Sequence, residues 1–376
     1  KTTLTKIISQ SFINNIYFNW DIAQNRAELI QNPLFFENIV RKDASIPLVV
    51  FDEIHKYKDW KNYLKGVYDQ FHGTYHFLVS GSGRLDIYQK DGDSLAGRYF
   101  QFHLWPFTIA EIADQRRRMD DFLKNPAEIA QTLDPKLSEN WDRLSKMSGF
   151  PEPYLANRQT TYRRWSANYS SQIIREDIRD LAAIKFVGEM ETLYRLLPSK
   201  IGSPLSLSSI ASDLKVSYNT IYNWLSVFER FFLIFSIGPW TRKIHRSIQK
   251  ERKVYLWDSP KIEDPGARFE NMVALELWRA VTNWNDLGYG DFSLSFLKNK
   301  EKQEVDFLIA DGRKPLILIE AKMTDPRPSN ALRKYQEMLN VPAVQVTHQE
   351  NGFRKISNKG QMILVAPAQW WLSGLP

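Results

Sequence analysis

The amino-acid sequence predicts a multidomain α/β protein. Three observations support this fold class: strands alternate with helices up to about residue 107, two helices separated by a turn precede a strand pair within 201–257, and strands and helices alternate again after residue 268. Alternation of this kind is typical of a sheet covered by helices. A length of 376 residues also exceeds what one hydrophobic core usually organises, so several domains are expected.

The first part, residues 1–110, is predicted to be a domain built on a parallel sheet. Its run Pro47–Phe51 is continuous and apolar, as expected for a strand that is buried on both faces of such a sheet. The other predicted strands are Ile16–Trp20, His76–Val79 and Tyr99–Leu104, and the predicted helices are Lys1–Ser11 and Trp60–Phe71.

Residues 111–200 are predicted to form a helical extension, residues 201–257 a winged helix-turn-helix, and residues 258–376 a second α/β domain. The middle unit has the order helix, turn, helix and strand pair, which is the layout of a winged helix. The predicted elements of the last three parts include Glu111–Leu123, Thr160–Ile184, Asn219–Phe232, Leu233–Ile237, Lys253–Trp257, Phe269–Thr282, Glu304–Ile309, Leu316–Glu320, Asn330–Leu339 and Ala343–Thr347.

Composition and charge limit the class of protein. The 50 Lys and Arg residues exceed the 43 Asp and Glu residues by 7, an excess that is compatible with a nucleic acid or a nucleotide phosphate as partner. The chain contains no cysteine, which excludes a disulfide framework and a cysteine zinc site and fits a reducing compartment. We therefore expect a cytoplasmic protein, and no apolar run is long enough to predict a membrane-spanning helix.

The chain begins with Lys1, Thr2 and Thr3 at the start of a predicted helix. A phosphate-binding loop has the pattern G-x-x-x-x-G-K-[ST], in which the Lys reaches the phosphates and the hydroxyl binds Mg²⁺. Lys1 and Thr2 match the end of that pattern, and we expect its glycine loop and the first strand to lie upstream. An exposed helix start is the alternative interpretation, because Lys-Thr pairs are common.

A buried strand that ends in Asp52 and Glu53 supports the nucleotide interpretation. Its sequence, Val49-Val50-Phe51-Asp52-Glu53, is a Walker B pattern, in which the Asp holds the Mg²⁺ shell and the Glu polarises the attacking water. The alternative is an acidic strand end that faces a loop. The order and spacing from Lys1 favour an ATPase.

Further motifs resemble a bacterial and archaeal family of AAA-type P-loop ATPases, whose members end in a domain long labelled only as a domain of unknown function. These motifs are Phe51-Asp52-Glu53-Ile54-His55-Lys56, the Trp60 helix, Ser80-Gly81-Ser82, and Gly97-Arg98 before a Leu-Trp-Pro-Phe run. The resemblance implies that ATP and Mg²⁺ bind at Lys1, Thr2 and Asp52, with Ser80 or Ser82 as the γ-phosphate sensor.

The same resemblance makes Arg98 a candidate arginine finger. Such a finger neutralises charge on the γ-phosphate, either within one chain or from a neighbouring subunit of a homo-oligomer. A structural ion pair is the alternative interpretation for Arg98.

Four residues of the C-terminal domain match the PD-(D/E)XK nuclease core: Glu270, Asp306, Glu320 and Lys322. Asp306 and Glu320 lie 14 residues apart on adjacent predicted strands, and Lys322 follows on the same strand face. That chemistry needs Asp306 and Glu320 to bind Mg²⁺ and the Lys to orient water. The alternative is a nuclease-like fold without activity.

The helix Asn219–Phe232 is predicted to enter a DNA major groove, with Asn219 and Asn223 near its start. The predicted wing is basic and fits DNA phosphates. Its cationic residues are Arg242, Lys243, Arg246, Lys250, Arg252 and Lys253. The alternative is a protein-protein module with a solvated hairpin.

Together, these motifs predict an ATP-hydrolysing AAA-type ATPase coupled to a DNA-linked, nuclease-like domain. The alternative function is a nucleotide-controlled switch, in which the nuclease-like domain is inactive and docks a protein partner.

Overall fold

A computed structural model gives the structure of the chain as two compact units, residues 1–104 and 105–376. It describes residues 1–81, 95, 97–129, 134–178, 186–241, 252–324, 327–348 and 352–376. None of the helices in this described part of the chain is long and apolar enough to cross a membrane.

The first unit contains a parallel sheet of three strands in the order β1-β2-β3. Its elements are α1 (Thr2–Gln10), β1 (Asn15–Asn19), α2 (Ala23–Gln31), β2 (Leu48–Asp52), α3 (Trp60–Phe71) and β3 (His76–Ser80). The three predicted strands that correspond to β1, β2 and β3 are confirmed to within one residue. The strand predicted at Tyr99–Leu104 is wrong: this segment pairs with no described strand, and its Phe100 and Phe102 side chains are exposed.

An aromatic core supports the strand that ends in Asp52. Phe51 of β2 is fully buried and packs edge-on against Phe18, Phe35 and Phe36. Interlocked rings of this kind contribute both apolar burial and favourable ring geometry. The main chain of β2 is therefore held rigidly where it reaches the edge of the sheet.

The second unit begins with helices and then builds an eight-stranded mixed sheet. Its helices are α4 (Ile109–Ala113), α5 (Met119–Lys124), α6 (Leu137–Met147), α7 (Pro151–Ala156), α8 (Gln159–Gln172), α9 (Val187–Leu196), α10 (Leu207–Asp213), α11 (Tyr218–Arg230), α12 (Pro265–Asp286), α13 (Asn330–Leu339) and α14 (Ala368–Leu372). The single helix predicted over Glu111–Leu123 is wrong, because Asp114 takes a left-handed conformation (φ 51°) that ends α4.

The strands of this sheet follow the order β10-β11-β9-β8-β7-β6-β4-β5. They are β4 (Ile234–Pro239), β5 (Lys253–Leu256), β6 (Phe292–Lys298), β7 (Glu304–Asp311), β8 (Lys314–Lys322), β9 (Ala343–Thr347), β10 (Arg354–Asn358) and β11 (Gln361–Pro367). The strand pair predicted as a wing, β4 and β5, is antiparallel and continues the sheet through a parallel contact between β4 and β6. Residues on β5 therefore share one sheet with the C-terminal strands.

A buried ion pair on α12 fixes the segment before α4. Arg279 and Glu276 form a salt bridge of 2.6 Å, and both side chains are 4% exposed. Glu276 also accepts the Ile109 N–H at 3.2 Å, and Arg279 donates to the carbonyl oxygens of Pro106 and Phe107. The pair thus satisfies main-chain groups that have no strand or helix partner.

Candidate nucleotide site and a carboxylate cluster

The carboxyl ends of the three parallel strands bring polar residues together. The strand register places Asn19 of β1 beside Asp52 of β2, and Asp52 beside Ser80 of β3. Ligands of open α/β sheets bind outside the carboxyl ends of the strands. The predicted Walker B strand and the predicted sensor strand therefore end at one place.

Asp52 is the centre of this strand edge and is fully buried. Its carboxylate accepts hydrogen bonds from the Thr2 hydroxyl at 2.7 Å, the Tyr17 hydroxyl at 2.5 Å and the Ser80 hydroxyl. Burial alone would raise the pKa of Asp52, but the hydroxyls of Ser80, Tyr17 and Thr2 outweigh burial and hold that pKa below its usual value. Asp52 is therefore a carboxylate at neutral pH.

The first helical turn of α1 lies next to this carboxylate. The Lys1 ammonium donates to the Gly81 carbonyl at 2.7 Å, Thr2 donates to Asp52, and Thr3 is exposed. A hydroxyl and a carboxylate 2.7 Å apart are both hard oxygen donors, the type of ligand that Mg²⁺ prefers. The structure thus brings together Lys1, Thr2 and Asp52, as the sequence predicted, whereas Ser82 lies outside the described residues.

Glu53 follows β2 in a left-handed conformation, with φ 58° and ψ 21°. Its N–H donates to the Ser80 carbonyl at 3.0 Å, so the strained residue is tied to β3. Its carboxylate, 23% exposed, forms a salt bridge of 3.2 Å with Lys56. Lys56 also pairs with Asp21 at 2.7 Å. Glu53 therefore lies at the strand end with its carboxylate held by a neighbouring cation.

Arg98 forms a two-point ion pair with Asp69 on α3. The Nε of Arg98 lies 2.7 Å from one carboxylate oxygen, and an Nη lies 3.3 Å from the other. This is the structural ion pair that was the alternative interpretation for Arg98. A role as an arginine finger would require Arg98 to exchange Asp69 for phosphate.

Sequence reasoning missed Tyr17 as a member of the Asp52 network. Tyr17 and Asn19 lie two residues apart on β1 and so share one face of the sheet, and the Asn19 amide lies 3.4 Å from the Asp52 carboxylate. The period-two alternation of β1 predicts only that Tyr17 and Asn19 share a face. A single sequence does not show which face of the strand turns toward Asp52.

In the second unit, the predicted nuclease residues are close neighbours. Asp306 on β7 accepts the N–H of Ala321 at 3.0 Å, which places it beside the end of β8. Glu320 pairs with Lys322 at 3.0 Å and accepts the Ser329 hydroxyl at 2.7 Å. Burial raises the pKa of Glu320, against the opposing charge of Lys322.

A lysine that the sequence placed in an exposed basic wing lies inside this cluster. Lys253 of β5 is 0% exposed, and its ammonium lies 2.6 Å from Glu304, 3.0 Å from Glu270 and 3.7 Å from Asp306. Its place in the solvated wing was wrong, because β5 belongs to the same sheet as β7. Lys253 is the first residue of a strand whose other residues are apolar or aromatic. Such a run is typical of a buried strand, so the sequence did contain an indication that Lys253 is buried.

The charged groups of this cluster shift one another's pKa values. Burial raises the pKa of Glu270 and Asp306 raises it further, whereas Lys253 lowers it. Burial would lower the pKa of Lys253, but the charges of Glu270, Asp306 and Glu304 outweigh burial and raise it above its ordinary value. Lys253 therefore stays protonated at neutral pH.

The donor set does not fit a divalent metal ion beside Lys253. The Lys253 ammonium already occupies the space between these carboxylates. It would repel a divalent ion about 4 Å away by about 8 kcal/mol at an effective dielectric constant of 20, which cancels the attraction of one carboxylate at that distance. Among the described residues, no group of three or more His, Cys, Asp or Glu side chains is placed to hold a metal ion. The predicted Mg²⁺ ligands Asp306 and Glu320 instead lie beside Lys253 and Lys322, respectively.

The predicted DNA-contacting helix corresponds to α11, with Ser217 as its N-cap. Asn219 and Asn223 are exposed on α11, together with Tyr218 and Tyr222, whereas Trp224 is buried in the core. The predicted wing residues Arg242, Lys243 and Arg246 lie outside the described residues. The structure therefore describes one of the two surfaces on which the DNA prediction depended.

Three segments of the chain are similar to families of known proteins. Residues 1–113 match the family described as AAA domain. Residues 138–260 and 265–368 match two families described as domains of unknown function, DUF8612 and DUF4143.

Two archaeal proteins of Methanocaldococcus jannaschii are similar over most of the chain. Uncharacterized protein MJ1544 is 24% identical over 341 residues, which span 85% of this chain and 73% of the relative. Uncharacterized protein MJ1637 is 22% identical over 325 residues, which span 77% of this chain and 64% of the relative. The chain is thus similar to an AAA domain over residues 1–113 and to DUF4143 over residues 265–368.

Proposed function

We propose that this chain hydrolyses ATP and that its nucleotide state controls a docking surface in the C-terminal part. The ATPase proposal rests on one observation: a buried, ionised Asp52 at the end of β2 accepts the hydroxyl of Thr2 at the start of α1. A P-loop ATPase uses these two groups to hold its metal ion. The AAA-domain match of residues 1–113 supports the same reaction.

Each residue of the strand edge has a place in this proposal. Thr2 and Asp52 would hold Mg²⁺, which neutralises charge on the phosphate oxygens. The N–H groups of the first turn of α1 would attract the phosphates, because the N-terminal end of a helix carries partial positive charge, and Lys1 would add its ammonium. Thr3, exposed on the same turn, adds a second hydroxyl. Ser80 senses the γ-phosphate through its bond to Asp52.

Glu53 is the proposed general base. To accept a proton from the attacking water, its carboxylate must first break the salt bridge with Lys56. The left-handed main chain of Glu53 keeps the residue at the end of β2 during this change. Arg98 would act in the same step if it exchanged Asp69 for the γ-phosphate, within one chain or toward a neighbouring subunit of a homo-oligomer.

The test of the ATPase proposal is Glu53→Gln in the full-length protein, with Glu37→Gln as the matched control. Glu37 is exposed in the same unit and loses the same charge. We expect Glu53→Gln to bind ATP with near wild-type affinity and to turn over about 100-fold more slowly, because general bases contribute about 10²–10⁴-fold. ATP turnover at wild-type speed in Glu53→Gln would exclude the assignment of Glu53 as the base.

The C-terminal part is proposed to dock a protein partner rather than to cut DNA. The observation that favours docking is the buried Lys253 ammonium among the carboxylates that a nuclease would need for metal binding. The exposed tyrosine and asparagine side chains of α11 offer an uncharged surface of aromatic and amide groups, which are common in protein interfaces.

Cleavage assays separate this proposal from the nuclease alternative. We expect no cleavage of linear, circular or single-stranded DNA with Mg²⁺ or Mn²⁺ that differs between the wild type and Asp306→Ala. A product that forms with the wild type and is lost in Asp306→Ala would establish a nuclease and contradict the docking role.

A further inference from the structure

A completely buried ammonium takes up the space between three carboxylates of the second unit. Lys253 enters from β5, while Glu304 and Asp306 come from β7 and Glu270 from α12. Buried charges persist in proteins when they are paired and hydrogen-bonded, and Lys253 meets both conditions.

We infer that Lys253 is the resident cation of this cluster and takes the place of a divalent metal ion. The carboxylates of the described cluster are not placed to hold a metal ion in this structure, and they can close around one only when Lys253 is removed. The inference rests on the contacts of Lys253 and is independent both of ATP hydrolysis and of the docking role proposed for the second unit. It assigns the cluster a chemistry that the nuclease pattern of the sequence does not predict.

The surroundings of the ammonium support a fixed position. The Tyr255 hydroxyl donates to Glu270 at 2.8 Å, on the same oxygen that accepts from Lys253. Gly202 has φ +87° and lies so close that a Cβ there would stand 3.3 Å from the other Glu270 oxygen. Pro204 bridges the main chain of Lys253. The Lys253 ammonium and the Glu270 carboxylate are thus confined by the Tyr255 hydroxyl and by the main chain at Gly202 and Pro204.

Removal of the lysine side chain would leave three carboxylates without their shared counter-charge around a space that had held an ammonium. Oxygen ligands of this kind suit Mn²⁺ and Mg²⁺. Lys298 provides a matched control, because it also pairs with Glu304, at 2.8 Å, but is 36% exposed and lies at the rim.

The experiment is a titration of the full chain with Mn²⁺ alone, without nucleotide, by isothermal calorimetry and electron paramagnetic resonance. The proteins are the wild type, Lys253→Ala, Lys298→Ala, Asp306→Asn and the double variant Lys253→Ala/Asp306→Asn. We expect Lys253→Ala to gain one Mn²⁺ site, bound at least about tenfold more tightly than any site of the wild type, since one repelling charge is gone. The double variant should lose that site, and Lys298→Ala should titrate like the wild type.

Two results would overturn the inference. The first is Mn²⁺ binding by the wild type that Asp306→Asn abolishes, and the second is a folded Lys253→Ala variant that gains no site. If circular dichroism shows that Lys253→Ala is unfolded, the Mn²⁺ titrations of the wild type and of Asp306→Asn are compared instead. Identical titrations of these two proteins support the inference, and a difference between them contradicts it. Failure of the ATPase proposal would appear separately, as unchanged ATP turnover in Glu53→Gln.

Discussion

Replacement of Lys253 by Met should strongly destabilise the second unit at neutral pH. Met keeps most of the apolar stem and removes the charge, so the change isolates the ammonium. Glu270, Glu304 and Asp306 are 15%, 21% and 14% exposed, and each would lose its nearest cation within the cluster. Removal of one partner from a buried ion pair costs about 3–5 kcal/mol. We expect a loss of that size.

The pH dependence of this loss has a definite sign. Without Lys253, burial and mutual repulsion would raise the pKa of the carboxylates in the folded state, as burial and Asp306 already do for Glu270. An acid whose folded-state pKa is raised contributes stability that is present below its unfolded pKa and lost as the pH rises. The penalty of Lys253→Met should therefore be largest near pH 8 and smaller near pH 5.

Hydrogen exchange of peptides from β5 and β7 is the suitable assay, because a chain of two units does not unfold in one two-state step. Lys298→Met is the control: it also loses a contact with Glu304, but at a site where an exposed pair contributes about 0–1 kcal/mol. If Lys253→Met loses no more protection than Lys298→Met, the reasoning about the buried ammonium is wrong.

Two further predictions concern other sites. Burial raises the pKa of Glu276 from 4.5 to about 7 against the charge of Arg279, so the stability of the second unit should fall by about 3 kcal/mol as the pH rises from 4.5 to 8. Hydrogen exchange of peptides from α12 should show this fall in the wild type and not in Glu276→Gln, and an equal pH dependence in both proteins would contradict the assignment. Thr2→Val keeps the side-chain shape and removes the hydroxyl bound to Asp52, so the affinity for ATP with Mg²⁺ should fall about tenfold by calorimetry. Thr192→Val, whose hydroxyl bonds only locally to Gly188, should bind like the wild type, and equal affinities of all three proteins would exclude Thr2 from the site.

The sequence predicted the strand edge of the first unit well, because the relevant signals are local. The apolar run before Asp52 specifies a buried strand, and the strand that ends at Ser80 lies next to it in the parallel sheet. Thr2 and Asp52 could be paired from motif spacing alone. Tyr17 could not, because its contact depends on which face of β1 turns toward Asp52.

The carboxylate cluster shows where such local signals end. Asp306 and Glu320 were recognised from adjacent strands, but Lys253 reaches Asp306 from a strand that lies 53 residues earlier in the chain. Its place in the sheet depends on the pairing of β4 with β6, which no local pattern specifies. A basic run that ends in an apolar strand therefore predicted a wing, although its last lysine is buried.

The hydroxyl bonds of Asp52 have a thermodynamic consequence for ligand binding. Thr2, Tyr17 and Ser80 already satisfy the carboxylate in the protein alone. An incoming metal ion therefore exchanges partners with these hydroxyls instead of meeting an empty acceptor, and the binding enthalpy is the difference between two bonded states. Substitutions at Tyr17 should thus change the strength of nucleotide binding through Asp52, since they change the free energy of the nucleotide-free state.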